Sequence, residues 1–479
     1  MLVLFICLPL FPGTCVSAQT VIGLQELQQL AAAEATNVLI AEQDLRSAEY
    51  ELTAFEASLK PRVDLNANLP NYFRTSTEVT QDDGTVAFRE IELNNSFVGL
   101  FANQRIAATG GTVSLESRLQ RTDNFALDSK SYNGTPVRLF YRQPILGFNA
   151  WKWDRDLLPL AKEVSEKELT AARANAALVA TERFFNLVDA DQERRIAELN
   201  REANQQLFTV AEERYELGKI DRGDLVQLRL ELKSAEQNAL RAERQVAAAS
   251  AGIQQLLGRA YDGDLLIPEL PDAKAIAIDT DEAGAKMLQR RPELLTAAQS
   301  TREAEREVER TKRDLGPQIN LEAGFGFVRN DENLPPIYTD PQNERIVSVN
   351  VSLPILDWGQ RKNLRRQAET NRDLTLEIAR RTRLDLTTEL TQLLDQWITV
   401  QQELKYATEI RDLANERFRI SQESYTLGAI PLTELTLAQQ FRDQNTRAYA
   451  RTLRAYWLTY ASLARLTLWD FINDKPLGE

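Results

Sequence analysis

The sequence predicts a mainly α fold with β-strands: a duplicated unit of long antiparallel coiled-coil helical hairpins plus strands. Three observations predict it. The chain repeats itself at a fixed offset, two stretches of about 65 residues hold an unbroken helical period, and segments leading into each stretch alternate apolar and polar residues.

The repeat is read residue by residue. Pro144-Ile145-Leu146 aligns with Pro354-Ile355-Leu356, and Tyr215 to Ile220 aligns with Tyr425 to Ile430, both at an offset of 210. Phe208 with Phe418 and Leu225 with Leu435 keep the same offset. Upstream, Leu59 to Leu65 aligns with Leu315 to Leu321 at an offset of 256, so the first copy carries 46 extra residues between Pro61 and Pro144. An insertion in one copy of a duplicated unit marks an elaborated loop or hairpin rather than a new core.

The elements follow in order. Residues 1–18 form an apolar run ending in Val16-Ser17-Ala18, the small residues a signal peptidase reads, although no Lys or Arg precedes the run. An exported chain is the expectation. Pro12-Gly13-Thr14 ahead of Cys15 is a poor match to a lipoprotein site, so lipidation is not expected. In repeat 1, Leu45, Ala48, Leu52, Phe55 and Leu59 share one helical face until Pro61 stops the helix. Val63, Leu65, Ala67 and Leu69 then alternate with polar residues, as do Val113 to Leu119, Ile319 to Phe327 and Val347 to Leu353, the pattern of strands with one apolar and one polar face. Thr109-Gly110-Gly111 signals a hairpin, whereas Gln81 to Gly84 and Asn330 to Asn343 read as long polar loops.

After Pro144 and again after Pro354 the period becomes helical, from near residue 150 to Leu217 and from near 360 to Leu427. At about 1.5 Å per residue such a helix is on the order of 100 Å long, a length that coiled coils and channels use and globular cores do not. Gly218 and Gly428 break the helices, and a second helix of about 35 residues returns from each break. The expected organisation is a signal peptide over 1–18, repeat 1 over 19–258 with strands within 61–146 and a tip near 218–224, and a linker over 259–281. Repeat 2 follows over 282–469 with strands within 317–354 and a tip near 428–434, then a C-terminal tail over 470–479. Asp262 and Asp264 read as a turn in the linker rather than a calcium site.

Composition excludes much chemistry. With 57 Lys+Arg against 70 Asp+Glu, the chain is acidic, and no nucleic-acid partner is expected. Histidine is absent and the only cysteines are Cys7 and Cys15, so thiol, imidazole and triad catalysis and transition-metal sites lack their residues, and neither a cofactor nor a metal is expected. A carboxylate enzyme would need two acids across a cleft, and nothing in the repeat builds one.

Beyond residue 20 no run of about 18 apolar residues occurs, so a membrane role must come through strands or a surface. The alternation is common to a soluble sheet, whose apolar face points inward, and to an outer-membrane barrel, whose apolar face meets lipid. Export and hairpins too long to cover a globular core favour the barrel. Copy two supplies two crossings and copy one two or four, giving four or six per chain. So few strands cannot close a water-filled barrel alone, so several copies must combine.

The duplication, the Pro-Ile-Leu strand ends at Pro144 and Pro354, and the paired Tyr-x-x-Gly patterns of Tyr215 to Leu225 and Tyr425 to Leu435 resemble the outer-membrane factor (TolC-like) family over nearly the whole chain beyond residue 18. The resemblance implies transmembrane β-strands in a trimeric α/β barrel, located in the outer membrane of a Gram-negative bacterium with a large periplasmic portion. It further implies a homotrimer in contact with outer-membrane lipid, a periplasmic adaptor at the helix tips, and through the adaptor an inner-membrane transporter. The expected function is the passive exit duct of a tripartite efflux pump or type I secretion system, with no catalysis. Gly218, Lys219, Gly428 and Ala429 match the adaptor-contacting tips. Asp224, Tyr425 and Glu434 match residues of the periplasmic entrance, where converging carboxylates would favour cations. Ile430 replaces the family's arginine and Leu437 its second ring acid. Acids favoured by a helix N-terminus are the other reading of Asp224 and Glu434. A periplasmic coiled-coil scaffold without a pore is the competing reading of the whole chain.

Overall fold

The computed structural model describes residues 22–258, 270–427 and 429–477. The expected signal peptide, most of the inter-repeat linker with Asp262 and Asp264, and Gly428 lie outside the described residues.

Repeat 1 runs through α1 (Leu24–Glu34), α2 (Thr36–Ser58), β1 (Arg62–Asn68), β2 (Tyr72–Thr80), β3 (Val86–Ile106), β4 (Gly111–Asn124), β5 (Ser129–Pro144), α3 (Ala150–Glu216) and α4 (Arg222–Leu257). Repeat 2 runs through α5 (Thr280–Arg290), α6 (Pro292–Asp314), β6 (Gln318–Asp331), α7 (Pro335–Thr339), β7 (Gln342–Ser352), α8 (Gln360–Thr426) and α9 (Leu432–Thr467), followed by β8 (Trp469–Asp470) and β9 (Lys475–Pro476). The duplication holds to the residue in helix length. α3 and α8 have 67 residues each, α4 and α9 have 36 each, α1 and α5 have 11 each, and α2 and α6 have 23 each.

The chain divides into two compact units. One comprises residues up to Asp44, Glu166–Pro292 and from Leu384 onward; the other comprises Leu45–Ser165 and Glu293–Arg383.

The second unit holds the main sheet. Its strands follow the order β1-β3-β4-β5-β6-β7, all antiparallel, and β2 also pairs with β3. β3 is long enough to serve both β1, along Phe97 to Asn103, and β2, along Val86 to Asn94. β1 and β2 therefore lie end to end in one lane, and the sheet has six lanes. Two loop expectations are corrected here. Gln81 to Gly84 is not a long loop but a tight turn, closed by Gln81 N–H to Thr85 O at 2.8 Å, because Gly84 takes φ +81 and lets β2 pair at once with β3. The 330–343 segment contains α7, whose Ile337 is fully buried against Gly134 of β5; a Cβ on Gly134 would strike the Ile337 side chain. Polar composition concealed the single apolar anchor that folds this connection back.

Charged runs on the helices are satisfied both within and between helices. On α6, Glu307 and Glu309 pair with Arg310 and Arg313 along the helix, while Arg306 reaches Asp154 of α3 at 3.0 Å.

The first unit packs an apolar core rich in alanine together with an aromatic cluster. Trp397 of α8 stacks on Tyr456 and Tyr460 of α9, with Trp457 edge-on to both tyrosines. The residues just before α5 are strapped onto this cluster: Trp397 Nε1 donates to Ile276 O, Tyr456 Oη to Lys274 O, and Ile276 N–H to Gln401 Oε1. Burial raises the Tyr456 phenol above its ordinary range despite the backbone partner. The last residues, expected as a tail, form a β8–β9 turn in which Asp470 accepts from Tyr460 Oη and from the Ile472 and Asn473 backbone.

Candidate functional site

Two regions carry functional geometry: the faces of the sheet and the tips of the helical hairpins.

Side chains paired across an antiparallel sheet share a face, so the register sorts every strand residue. One row runs Val63–Ala102–Leu115–Leu139–Phe325, and a neighbouring row runs Gln104–Val113–Tyr141–Ala323–Val347. With Leu65, Leu100, Leu119, Leu321, Val349 and Val351 these make an apolar face across all six lanes. Among the described residues, only the short α7 reaches this face, packing Ile337 on Gly134 beside Leu119, and the band itself stays open: Val347 is 79%, Val63 66% and Val351 65% exposed. A soluble sheet would bury such a face, since leaving each Val or Leu in water forgoes about 1.5–3 kcal/mol. Further along the strands the same face turns charged, with the ion pairs Arg74–Glu90, Arg121–Asp123 and Arg329–Asp331. An apolar band with a charged border results. Its width on β6, Ile319 to Phe327, spans the nine or so residues that one crossing of a bilayer needs.

The opposite face is polar. Its central row reads Asp64–Phe101–Glu116–Arg138–Gly326–Glu344. Arg138 donates to Glu116 at 2.5 Å and to Glu344 at 3.1 Å, and Arg142 donates to Glu322 at 2.8 Å. Where the strands meet the long helices, Arg105 lies over the Trp151 ring, while Trp358 is 89% exposed rather than packed into the junction. Trp358 is held at φ +54 beside Gly359 at φ +87.

At the first hairpin tip, α3 ends in a Schellman motif: Gly218 N–H donates to Tyr215 O at 2.9 Å and Lys219 N–H to Arg214 O at 2.8 Å. Gly218 takes φ +68 with open space around it, and Gly218 and Lys219 are exposed. The second tip repeats the long bond, Ala429 N–H to Ser424 O at 2.9 Å, and Ala429 is exposed. Leu217 and Leu427, one residue before each tip glycine, are both strongly exposed. Glu434 sits in the first turn of α9 behind the N-cap Pro431, exposed, with no ion pair to any described residue. Asp224 falls within α4 and Tyr425 within α8, but their side chains lie outside the described residues.

Sequence reasoning missed the ties between the repeats. Arg447 and Arg454 of α9 pair with Glu193 and Asp189 of α3, and Gln439 donates to Asn200 at 2.7 Å. The Arg447–Glu193 and Gln439–Asn200 contacts line a polar groove of about 870 Å³ between α3, α4 and α9. Burial would depress the Arg447 guanidinium, but the Glu193 hydrogen bond outweighs it and keeps the charge in place. No sequence signal identifies such pairs, because each residue alone reads as a solvated helix face. Among the described residues, no helix is long and apolar enough to cross a membrane, and no group of three His, Cys, Asp or Glu could hold a metal ion.

A family model described as "Outer membrane efflux protein" matches residues 27–259 and 284–467. No curated protein matches. Among solved structures, the chain is similar to the Campylobacter jejuni CmeC outer membrane channel, with a TM-score of 0.68 and 16% identity over 95% of this chain and 87% of that one. The open-state Neisseria gonorrhoeae MtrE outer membrane channel gives a TM-score of 0.64 at 14% identity over 93% and 88%. The Vibrio cholerae outer membrane protein VceC gives 0.60 at 14% over 93% and 96%.

Proposed function

The chain belongs to the outer membrane efflux protein family, and from that premise we propose that three copies form the exit duct of a tripartite export assembly. The apolar, charge-bordered band carries this reading: it needs lipid on one side, and the ion-paired polar face needs water on the other. The long hairpins extend into the periplasm. Their tips dock a periplasmic adaptor, which links the duct to an inner-membrane transporter that supplies the energy, so the duct itself performs no chemistry.

At the tips, Gly218, Lys219, Gly428 and Ala429 form the adaptor contact, with exposed Leu217 and Leu427 adding apolar surface where the chain reverses. Asp224, Tyr425 and Glu434 form the entrance ring. Asp224 and Tyr425 form a latch left incomplete by Ile430 in place of the family's arginine, and exposed Leu437 in place of the second ring acid leaves Glu434 to line the narrowest ring, which prefers cations.

Membrane fractionation followed by mass determination of the detergent-extracted species tests the duct. A trimer recovered from the outer membrane is expected. A soluble periplasmic monomer or dimer would overturn the reading and leave a coiled-coil scaffold.

A further inference from the structure

We infer that the 46-residue insertion of repeat 1 is part of the barrel wall. Each chain then contributes six strand passes, and three copies close an eighteen-stranded barrel in which β7 of one copy pairs with β1 of the next. The inference rests on the outer-membrane duct reading and extends it to the width of the pore.

The repeat alignment places Pro61 with Pro317 and Pro144 with Pro354, so β1 stands where β6 stands and β5 where β7 stands. What the second copy lacks is the β3–β4 hairpin. That hairpin does not stand off the sheet. β3 pairs with β1 from Phe97 to Asn103 and with β4 over its whole length, and β4 pairs with β5. Its apolar residues Val98, Leu100, Val113 and Leu115 fall in the rows that the neighbouring strands direct to lipid. On the polar face, Glu116 of the inserted strand is joined through Arg138 to Glu344 of the second repeat, one ionic link running from β4 to β7. A hairpin lying outside the bilayer would have no reason to keep this two-faced register.

The sheet's two edges point to their own occupant. Among the described residues, β1 and β7 each pair on one side only, and open strand edges are not tolerated in lipid. The first strand leaves the helical end and the seventh returns to it, so β7 against the next copy's β1 is antiparallel, like every other pair in the sheet. Barrel diameter grows roughly linearly with strand number. Eighteen strands against the twelve that four passes per chain would supply make a barrel about half as wide again, in the range where porins hold an open aqueous lumen. The outer-membrane end is then no sieve, and cargo is restricted only in the helical part of the duct.

The full-length chain has no cysteine beyond Cys15, so introduced thiols report cleanly against the unmodified protein. The variants Leu115→Cys and Ser114→Cys in β4 and Val349→Cys in β7 are purified, placed in lipid nanodiscs and treated with a membrane-impermeant maleimide. Ser114→Cys is expected to label, whereas Leu115→Cys and Val349→Cys are expected to lose labelling. Labelled Leu115→Cys with protected Val349→Cys would overturn the inserted strands and leave the duct intact; labelling of both would overturn the membrane sheet itself. Asn350→Cys combined in turn with Cys at Asp64, Asn66 or Asn68 should give an oxidised covalent trimer in at least one pairing. Absence of cross-links in all three would overturn the β7–β1 closure.

Discussion

Arg138 donates to Glu344 two strands away because Gly326 stands between them. A Cβ at position 326 would sit 2.8 Å from the Arg138 backbone and side chain, so only glycine lets the guanidinium cross β6. The same arginine holds Glu116 on its other side. One cation thus bridges two partly buried carboxylates on the polar face, where a carboxylate left without a partner would be costly.

Gly326→Val should therefore act as an assembly mutant. Overpacking of this kind costs about 1–3 kcal/mol, and the displaced Arg138 leaves Glu344 unpaired. The temperature at which the trimer dissociates on a detergent gel should fall, and unchanged dissociation would mean that β6 shifts to accommodate the side chain.

Gly218→Val meets no steric obstacle but must adopt φ +68, a strain of about 1–2 kcal/mol confined to the tip. Export should be abolished while trimers persist. Loss of the trimer instead would place Gly218 in folding rather than in docking.

Glu434→Gln removes an exposed carboxylate that has no ion pair to any described residue. Cation preference in bilayer recordings should drop with little change in trimer stability, and unaltered selectivity would take Glu434 out of the constriction.

Asp470 makes the C-terminal turn acid-sensitive. Burial alone would raise its carboxyl, but hydrogen bonds from Tyr460, Asn473 and the Ile472 backbone outweigh burial and hold it below the usual range. Burial and the same contact push the Tyr460 phenol far up, so it stays protonated and donating. A carboxyl depressed in the folded state contributes stability above its unfolded pKa of about 3.9, lost as pH falls through the folded value. Thermal melts should show an acid-side loss below about pH 4 that Asp470→Asn makes smaller, the remainder coming from other carboxyls that are also held low, Asp357 among them.

Trp397→Ala removes a buried side chain that both anchors the aromatic cluster and holds Ile276 O. A loss of about 3–5 kcal/mol is expected in chemical unfolding, with proteolysis appearing first in the residues just before α5.

Periodicity and repetition were written in the sequence because they are local. The offset of 210 placed both tips, the helical period placed α3, α4, α8 and α9, and the period-2 runs placed β1, β4, β6 and β7. The tip glycines were legible for the same reason, since a Schellman motif is closed by residues five apart. Ile337 was not, because the short apolar cluster Leu334 to Tyr338 is too brief to carry a period and does not show which of its residues is buried. Arg138 with Glu344, and Arg447 with Glu193, lie more than 200 residues apart and follow no spacing rule. Alternation likewise left open whether the apolar strand faces turn inward or outward. That was decided only by the folded sheet, which stacks those faces in register and leaves them uncovered. Whether the 46 extra residues make a loop or two strands was also a matter of tertiary structure, because strand pairing depends on which edge is free to receive it.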